Sequence, residues 1–582
     1  MPHWLLEHEA IRLDPEASPL PSSLPSPGRL SLNDLDGWEL AMPEMVGKQL
    51  KCGVLLLTQG SLRAVAVAPD ARVDLAAITE AGAADGVVTL VLPRDDLARL
   101  VEARHRQSLN RDAGHGLFER DRQNSALHGI LPSQYAAAGL LGLALVAGAI
   151  LAPMSTLMVV TGAMIAVLLC LVIFRLACMC AGMSREKLEI DDATLAALRD
   201  EDLPSYTVMV PMLHERESTL RGLVRTLNRL DYPTDRLQIQ LILEETDVET
   251  RAVIEDMLLP EHFDIVLIPE ATPKTKGKAC NYALYFARGE RFTIYDAEDH
   301  PDPLQLKKAV AAFAASPEDV VCAQSCLNFY NVRENWLTRM FTLDYTVWYD
   351  LMLPGLERLG VPICLGGTSN HFLTQVVRDL DGWDAYNVTE DADMGLRLAK
   401  KGMRTIMLDS TTLEEANTRI GNWVRQRSRW MKGYMMTYLV HMRAPIAFLI
   451  ALGPWRFAGV QLFVAGNFVG NLINPPLWGI TLLWASNELW EWSAAPLFHE
   501  SFWYPAMFTL VVGNLSALGF TVLAAYRRRM YDLIPYVLTL PAYWALAAIA
   551  SYKALYQLFT RPFYWEKTEH GLTQLALPEA AT

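Results

Sequence analysis

The sequence predicts an α/β domain that lies between two groups of membrane-spanning helices and follows a small α+β domain. Three observations support this prediction. Hydrophobic residues make up 51% of the 582 residues and are concentrated in blocks. Blocks of about 20 apolar residues are long enough to cross a bilayer. The stretch between the blocks has the mixed composition of a soluble domain and alternates strand-like with helix-like segments, which predicts parallel strands joined by crossover helices.

The predicted domain boundaries follow from shifts in composition along the chain. Residues 15–29 contain five prolines and four serines, which is typical of a linker. In chain order the predicted segments are a disordered linker over 1–30, a small α+β domain over 31–127, a transmembrane hairpin over 132–180, an α/β domain over 185–432, an interfacial helix over 433–456, a transmembrane region over 457–559 and a tail over 560–582.

The small N-terminal domain is predicted from short apolar runs. KCGVLLL and RAVAVA around a turn predict a hairpin, and helix, strand and helix are predicted over 74–82, 87–92 and 94–107. Together with residues 115–127, this stretch resembles the N-terminal domain of type II secretion ATPases, some relatives of which bind cyclic dinucleotides. The resemblance implies a protein-docking module, or alternatively a regulatory nucleotide site, and therefore a regulatory or export partner at this domain.

The membrane arrangement is predicted from apolar length and from the positions of Lys and Arg. Apolar stretches over 136–153 and 157–174 are flanked on both sides by basic residues, and the positive-inside rule therefore predicts that both flanks are cytoplasmic. The sequence thus predicts a multi-pass protein of the bacterial inner membrane, in contact with the lipid bilayer, whose α/β domain is cytoplasmic. Three apolar stretches follow that domain, over 457–485, 503–526 and 533–559, with no Lys or Arg over 486–502.

Charge and cysteine usage exclude several classes of protein. The net charge is -14 and no Lys/Arg stripe is present, which argues against a nucleic-acid partner. The eight cysteines lack CxxC spacing, so structural thiols are expected rather than disulfides or a zinc site. The first residues lack a basic segment followed by an apolar run, so no cleaved secretory signal is expected.

Two acidic motifs are candidates for chemistry. Asp296 and Glu298 follow the predicted strand RFTIY, and carboxylates at i and i+2 of a strand end can hold Mg²⁺ or Mn²⁺ together with a diphosphate. An acidic loop is the alternative interpretation. Thr389, Glu390 and Asp391 precede a predicted helix, where acids either cap the helix or supply a general base.

A third motif lies just before the chain re-enters the membrane. Gln426, Arg429 and Trp430 fall at i, i+3 and i+4 of a predicted helix and therefore share one face. An interfacial anchor of Arg and Trp is the alternative interpretation, but it gives no reason for Gln426.

These three motifs together resemble those of processive family 2 glycosyltransferases, such as cellulose, curdlan and hyaluronan synthases, in order and in rough spacing. The resemblance covers about 206–432 and extends to the membrane arrangement. It implies a GT-A (Rossmann-like) fold, a nucleotide-sugar donor such as a UDP-sugar, Mg²⁺ or Mn²⁺ as cofactor, and inversion at the anomeric carbon. It also implies a growing polysaccharide, such as a β-glucan, that is exported as it is made.

The resemblance also implies roles for individual residues. Asp296 and Glu298 would hold the metal and the donor diphosphate, and Asp391 would be the general base. Glu390, Gln426, Arg429 and Trp430 would bind the diphosphate and the acceptor sugar. Glu244 and Glu245 stand where the family usually has a uracil-contacting Asp. Lys278 would balance diphosphate charge, and Gly367 and Thr368 in LGGTSNHF would line the acceptor terminus.

Two alternatives remain open. A non-processive transferase that adds one sugar to a lipid carrier would have the same acids and spans, and product length would distinguish it. A scaffold or receptor with a decayed domain would release no nucleotide from any sugar donor. In addition, the tail RPFYWEKTEHG resembles the cytoplasmic ending of related synthases, which requires an even number of spans after the α/β domain, whereas the apolar stretches there number three.

Overall fold

The computed structural model describes residues 39–40, 54–59, 62–68, 87–91, 94–183, 190–490, 500–567 and 573. The predicted linker over 1–30 and the predicted helix over 74–82 lie outside these residues, as does most of the tail beyond 567.

The N-terminal part contains a small sheet and one long helix. Its strands are β1 (Glu39–Leu40), β2 (Val54–Gln59), β3 (Leu62–Val67) and β4 (Val87–Val91), in the order β1-β2-β3-β4. β2 and β3 form the predicted antiparallel hairpin, and β4 pairs parallel to β3. Helix α1 (Arg94–Arg120) follows and is kinked at His105. Its buried Leu97, Val101 and Leu109 belong to the same apolar cluster as the strand residues Leu55 and Val65.

The α/β domain is built on a sheet of eight strands in the order β7-β6-β5-β8-β11-β10-β12-β9. The strands are β5 (Tyr206–Met212), β6 (Leu237–Glu244), β7 (Phe263–Ile268), β8 (Arg291–Ile294), β9 (His300–Pro301), β10 (Val320–Phe329), β11 (Asn370–Leu373) and β12 (Arg404–Glu414). The four strands predicted from the alternating pattern, β5 to β8, are parallel to one another. β11 runs antiparallel to β8 and β10, so the complete sheet is mixed rather than parallel throughout.

Helices pack against this sheet. They are α4 (Asp192–Ala197), α5 (Glu217–Leu227), α6 (Val248–Asp256), α7 (Lys276–Ala283), α8 (Gln305–Ala314), α9 (Trp336–Val347), α10 (Leu353–Arg358), α11 (Thr374–Asp379), α12 (Glu390–Lys400) and α13 (Ile420–His441). In a sheet of this kind ligands bind beyond the carboxyl ends of the parallel strands, and the candidate site is found there.

Several helices are long and apolar enough to cross a membrane. They are α2 (Pro132–Leu151), α3 (Pro153–Met183), α14 (Pro445–Val460) continuing into α15 (Gly466–Trp490), α16 (Trp503–Arg527) and α17 (Leu540–Thr560) with the turn before it. By length and composition the described residues give five candidate spans, Pro132–Leu151, Pro153–Met183, Pro445–Ser486, Trp503–Arg527 and Tyr531–Thr560. The segment predicted as one interfacial helix over 433–456 is divided between α13 and α14, and Gly453 has a φ of 76° before Pro454.

Helix α3 packs directly on the α/β domain. A Cβ placed on Gly355 of α10 would lie 1.9 Å from the carbonyl oxygen of Cys178, and one placed on Gly182 would lie 2.0 Å from that of Leu351. The two backbones approach so closely at these positions that a side chain would not fit, and glycine allows this approach. The apolar helices and the α/β domain are therefore in direct contact.

The last apolar helix contacts the α/β domain at both of its ends. In the segment between α16 and α17, Arg528 binds both carboxylate oxygens of Asp350, at 2.5 and 2.8 Å. Trp336 of α9 donates its indole N–H to Thr539 at 2.8 Å. Just after α17, Lys432 of α13 donates to the carbonyl oxygens of Arg561 and Tyr564, at 3.2 and 2.6 Å. Residues before and after α17 therefore both contact helices of the α/β domain.

Candidate active site

A single cavity of about 730 Å³ joins the carboxyl edge of the sheet to the apolar helices. One part of its wall is acidic and lies beyond β6, β8 and β12. Another part is formed by α13, and the rest includes residues of the segment between β7 and α7, of α9, of α12 and of the tail, together with side chains of α3, α15, α16 and α17. All but two of the site residues predicted from the sequence line this cavity: Glu244, Asp296, Glu298, Gly367, Thr368, Glu390, Asp391, Gln426, Arg429 and Trp430.

The acidic segment after β8 is held in place by one buried carboxylate. Asp299 is 1% exposed and accepts hydrogen bonds from the backbone N–H of Asp296, at 2.8 Å, and from the hydroxyl of Thr368. Oγ1 of Thr368 also lies 3.0 Å from the carbonyl oxygen of Ile294. Burial, together with the charges of Asp296 and Glu298, holds the pKa of Asp299 well above its usual range. Asp299 thus shapes the turn from which Asp296 and Glu298 reach the cavity.

Lys276 is the positive charge in contact with these acids. Its ammonium lies 2.5 Å from Asp296 and donates to the carbonyl oxygen of Gly367 at 2.6 Å. Thr275 caps the first turn of α7 by accepting from the N–H of Lys278, which fixes where the helix begins. The contacts place one ammonium among the carboxylates at the carboxyl edge of the sheet.

Glu390 and Asp391 begin α12 and are both largely buried. Burial and the neighbouring carboxylate of Glu390 hold the pKa of Asp391 well above its usual range, and the Lys276 ammonium opposes this shift. Burial also raises the pKa of Glu390 against the opposing charges of Lys276 and Arg429. A Cβ placed on Gly367 would lie 3.8 Å from Oδ2 of Asp391 and 4.0 Å from Nζ of Lys276. Gly367 therefore leaves room beside both groups.

Helix α13 brings Gln426, Arg429 and Trp430 to the same cavity. Gln426 accepts a hydrogen bond from the side chain of Asn417 at 2.8 Å. The guanidinium carbon of Arg429 lies 4.6 Å from the ring centre of Trp565, a cation–π distance. Trp430 packs against Phe341 and Tyr345 of α9, with ring centres 6.1 and 6.2 Å away. The predicted face of this helix is thus turned to the cavity.

Two predicted donor-site residues do not line the cavity. Glu245 is half exposed and pairs with Arg106 of α1 at 3.1 Å. Lys278 is fully buried, donates to the carbonyl oxygen of Ala271 at 2.9 Å and lies 3.7 Å from Glu244. Glu244 itself lines the cavity, and its Oε2 is buried without a hydrogen-bond partner.

The cavity also contains residues that the sequence reasoning did not single out. Besides Lys276, these are Glu414 at the end of β12 and Trp565 and Lys567 of the tail. Burial and the charges of Asp299, Asp296 and Glu298 hold the pKa of Glu414 well above its usual range. An acidic pair at the end of a strand, Glu414 and Glu415, was a signal available in the sequence. The return of the tail to the cavity had no local signal.

The acidic wall fits a divalent cation held jointly with a ligand. Among the described residues, no three His, Cys, Asp or Glu side chains converge to hold a metal ion by themselves. Mg²⁺ in nucleotide sites is held by one or two carboxylates, with phosphate and water oxygens completing the shell. Asp296 and Glu298 supply two carboxylates, and the pKa values of Asp299 and Glu414 are raised by burial and, in addition, by the neighbouring carboxylates, whose charge a cation would offset.

Between the apolar helices, aromatic and amide side chains line the cavity together with aliphatic ones. The lining residues of these kinds include Asn467, Asn471, Asn474, Trp478, Trp484, Trp503, Asn514 and Trp544. Amides donate and accept hydrogen bonds, and indole rings present flat apolar faces, so this surface suits a ligand that carries hydroxyl groups on an apolar ring. Such a lining is unlike a surface that packs only against lipid tails.

Comparison with known proteins defines the class of the α/β domain. The model described as "Glycosyl transferase family 2" matches residues 207–369, and the one described as "Glycosyl transferase family group 2" matches residues 292–549. These matches support glycosyltransferase family 2 and the GT-A fold for this domain.

Individual relatives are similar over part of their length. The chain is 23% identical over 239 residues to the probable glycosyltransferase YdaM of Bacillus subtilis, covering 40% of this chain and 56% of that protein. It is 25% identical over 243 residues to the beta-monoglucosyldiacylglycerol synthase of Trichormus variabilis, covering 41% and 50%. It is 25% identical over 248 residues to glucomannan 4-beta-mannosyltransferase 1 of Oryza sativa, covering 40% and 45%. The chain thus spans about half the length of the curated relatives it matches.

Proposed function

We propose that the protein is an inverting, processive β-glycosyltransferase that polymerises sugar from a nucleotide-sugar donor, such as a UDP-sugar, into an exopolysaccharide such as a β-glucan and exports it. The observation that carries the proposal is the single cavity, which joins the acids of the sheet edge and the α13 face to the aromatic and amide lining between the apolar helices. A transferase whose product leaves through the membrane needs such a continuous path.

The proposed reaction forms one glycosidic bond and breaks one. Asp391 takes the proton of an acceptor hydroxyl as that oxygen bonds to the anomeric carbon of the donor. The bond from that carbon to the diphosphate breaks, and the nucleoside diphosphate leaves with the electron pair. Attack opposite the leaving group inverts the anomeric centre, so an α-linked donor gives a β-linked product. The raised pKa of Asp391 suits a general base, because proton transfer is most effective when the pKa lies near the working pH.

The remaining residues are proposed to bind and orient. Lys276 and Arg429 balance the charge of the diphosphate, and Glu244 offers its unpartnered oxygen to an N–H of the nucleobase. Gln426 and Trp430 hold the acceptor, the indole ring stacking on the sugar face. Asp296 and Glu298 would hold Mg²⁺ or Mn²⁺, which when bound supplies positive charge to the departing diphosphate.

The proposed location is the bacterial inner membrane, with the α/β domain in the cytoplasm, where nucleotide sugars are made. Basic residues on both flanks of the α2–α3 hairpin favour this orientation. The contacts at both ends of α17 support a further point of topology, namely that α17 lies in the membrane interface instead of crossing the bilayer. Two spans would then follow the α/β domain, and the tail would return to the cytoplasmic side.

A non-processive transferase is the second candidate, because one relative is named as a beta-monoglucosyldiacylglycerol synthase. Its acceptor would be a lipid that enters the cavity from the bilayer. The product would then carry a single added sugar.

Reconstitution tests both candidates. The purified protein in lipid is supplied with individual UDP- and GDP-sugars and with Mg²⁺ or Mn²⁺, nucleotide release is measured, and products are sized and digested with linkage-specific hydrolases. A long β-linked polymer supports the first candidate, and a single glycolipid supports the second. Release that persists unchanged after chelation would contradict the proposed metal requirement, and no release with any donor would contradict both candidates.

A further inference from the structure

Helix α1 of the N-terminal domain lies against the segment that joins β7 to α7. The side-chain amide of Asn110 donates to the carbonyl oxygen of Pro269 at 2.7 Å, and Asn110 is 1% exposed. One turn earlier, Arg106 donates to the carbonyl oxygen of Leu267 at 2.7 Å. A Cβ placed on Gly114 would lie 3.6 Å from Cδ of Pro273. The helix thus contacts this segment over three of its turns.

The same helix also contacts α7. Asn281 donates its side-chain amide to the carbonyl oxygen of Ala113 at 2.9 Å, and Tyr282 donates its hydroxyl to Glu102 at 3.4 Å. Tyr285, just beyond α7, donates its hydroxyl to Asp112. Because these partners are largely buried, the contacts are shielded from competing water, and α1 and α7 are held at a fixed distance.

The segment that α1 contacts carries two of the lysines that line the candidate site. Lys274, Thr275 and Lys276 line the cavity, and the Lys276 ammonium contacts Asp296 and Gly367 on its far side. Asn110 and Arg106 therefore bind the backbone of this segment from outside the α/β domain, while Lys276 of the segment faces the acids of the cavity. A shift of α1 would therefore move the backbone of residues 267–278, and Lys276 would move with that segment.

We propose that the N-terminal domain positions the donor site, with Asn110 and Arg106 of α1 acting as positioning residues that hold residues 267–278 so that Lys276 meets the diphosphate of a nucleoside-diphosphate sugar. The nature of this ligand rests on the proposed function. A partner that pulled α1 away from residues 267–278 would lower donor affinity without touching the acids that carry out transfer.

Asn110→Leu tests this inference, because it keeps the branched shape of the side chain and removes the amide that binds Pro269. Arg106→Gln is the second variant, and Arg111→Ala, which alters an exposed ion pair with Glu119 on the same helix, is the matched control. All are made in the full chain and reconstituted in lipid. The KM for the nucleotide sugar is expected to rise about tenfold in both test variants while kcat changes less than about twofold. The control is expected to match the unaltered protein.

Deuterium uptake provides a readout that needs no sugar donor. Residues 267–278 are expected to exchange faster in Asn110→Leu and Arg106→Gln than in Arg111→Ala, because their outer contacts are lost. Unchanged uptake in both test variants would overturn the inference, as would an unchanged KM in an active protein. If the unaltered protein released no nucleotide from any donor, the proposed function would fail, and deuterium uptake would still decide whether α1 holds this segment.

Discussion

Lys276 is the residue on which the charge balance of the cavity depends. It contacts Asp296 directly, and its charge opposes the rise in the pKa of both Glu390 and Asp391. Burial lowers the pKa of Lys276, but the charges of Asp296 and Asp391 more than offset this and raise it above its usual range, so the ammonium stays charged. Without this ammonium, the carboxylates would face one another with less compensation, and an anionic donor would be repelled.

We expect Lys276→Gln to weaken donor binding by at least about tenfold, because a charge-assisted contact to the diphosphate would be lost. Binding of UDP to the reconstituted protein, measured by calorimetry, checks this. Lys401→Gln, at an exposed position after α12, is the control and should leave the affinity unchanged. Equal affinities in the two variants would remove Lys276 from the proposed donor site.

Asp391→Asn should lower sugar transfer by about 10²–10⁴-fold, the usual contribution of a general base. The amide is nearly the same size as the carboxyl group, so the melting temperature should be little changed. The rate of nucleotide release and thermal unfolding of the solubilised protein are the two measurements, and the exposed Asp256→Asn is the control. Turnover at the rate of the unaltered protein would refute the assignment of Asp391 as the base.

Among single residues, the sequence predicted which segments reach the cavity more reliably than which side chains of those segments line it. Glu244 ends β6 and Glu245 follows it, and successive residues of a strand point to opposite faces. Only Glu244 therefore reaches the cavity. Lys276 and Lys278 are two positions apart at the start of α7, which separates them by about 200° around the helix axis. The position of the helix start, set by the Thr275 cap, decides which lysine faces the acids.

Among the elements, the junction between α13 and α12 couples the two halves of the proposed site. Gly433 of α13 faces Thr389, and a Cβ placed on Gly433 would lie 2.3 Å from both Cγ2 and Oγ1 of Thr389. The absence of a side chain at Gly433 lets α13 approach the turn that presents Glu390 and Asp391. The distance between the cavity face of α13, which is proposed to bind the acceptor, and Asp391, the proposed base, is thereby fixed.

Gly433→Ala should destabilise the protein by about 1–3 kcal/mol through overpacking and should reduce transfer as well. Gly421→Ala on the same helix is a matched control, because a Cβ there has no neighbour within 4 Å. Thermal unfolding and nucleotide release are measured for both. Adding Thr389→Ala to Gly433→Ala removes the clashing atoms and should restore stability. A double variant no more stable than Gly433→Ala would contradict this account of the junction.

Element prediction succeeded where periodicity was strong. β5 to β8 were predicted because each is a short apolar run followed by a helical pattern, and a parallel arrangement follows from such alternation. No strand is predicted from the sequence at β11, because its four residues are too few for a periodic signal. Its antiparallel pairing with β8 and β10 depends on contacts with residues distant in sequence, so it could not be predicted from local pattern.

For the whole molecule, the position of α17 decides on which side of the bilayer the tail lies. Its length and composition qualify it as a span, but its preceding and following residues both contact the α/β domain. Hydropathy reports only whether a helix can enter the bilayer. Three apolar stretches are therefore predicted after the α/β domain, although the resemblance of the tail requires an even number of spans.

We expect the tail to lie on the same side as the α/β domain. Green fluorescent protein fused after Thr582 should fluoresce in a bacterial host, and alkaline phosphatase fused at the same place should be inactive. The same reporters fused after residue 495, within the segment that has no Lys or Arg, should give the opposite pattern. Active phosphatase at the C-terminal fusion would show that α17 crosses the bilayer.

The contribution of Trp565 and Lys567 to the cavity wall bears on how the protein is made. The ribosome translates the acidic residues near 296, and then all the apolar helices, before it reaches the tail. The wall of the cavity is therefore completed last. A nascent chain still attached to the ribosome therefore lacks part of its wall. Premature termination near residue 560 would therefore leave a protein whose cavity wall lacks Trp565 and Lys567, and the proposed activity would be lost.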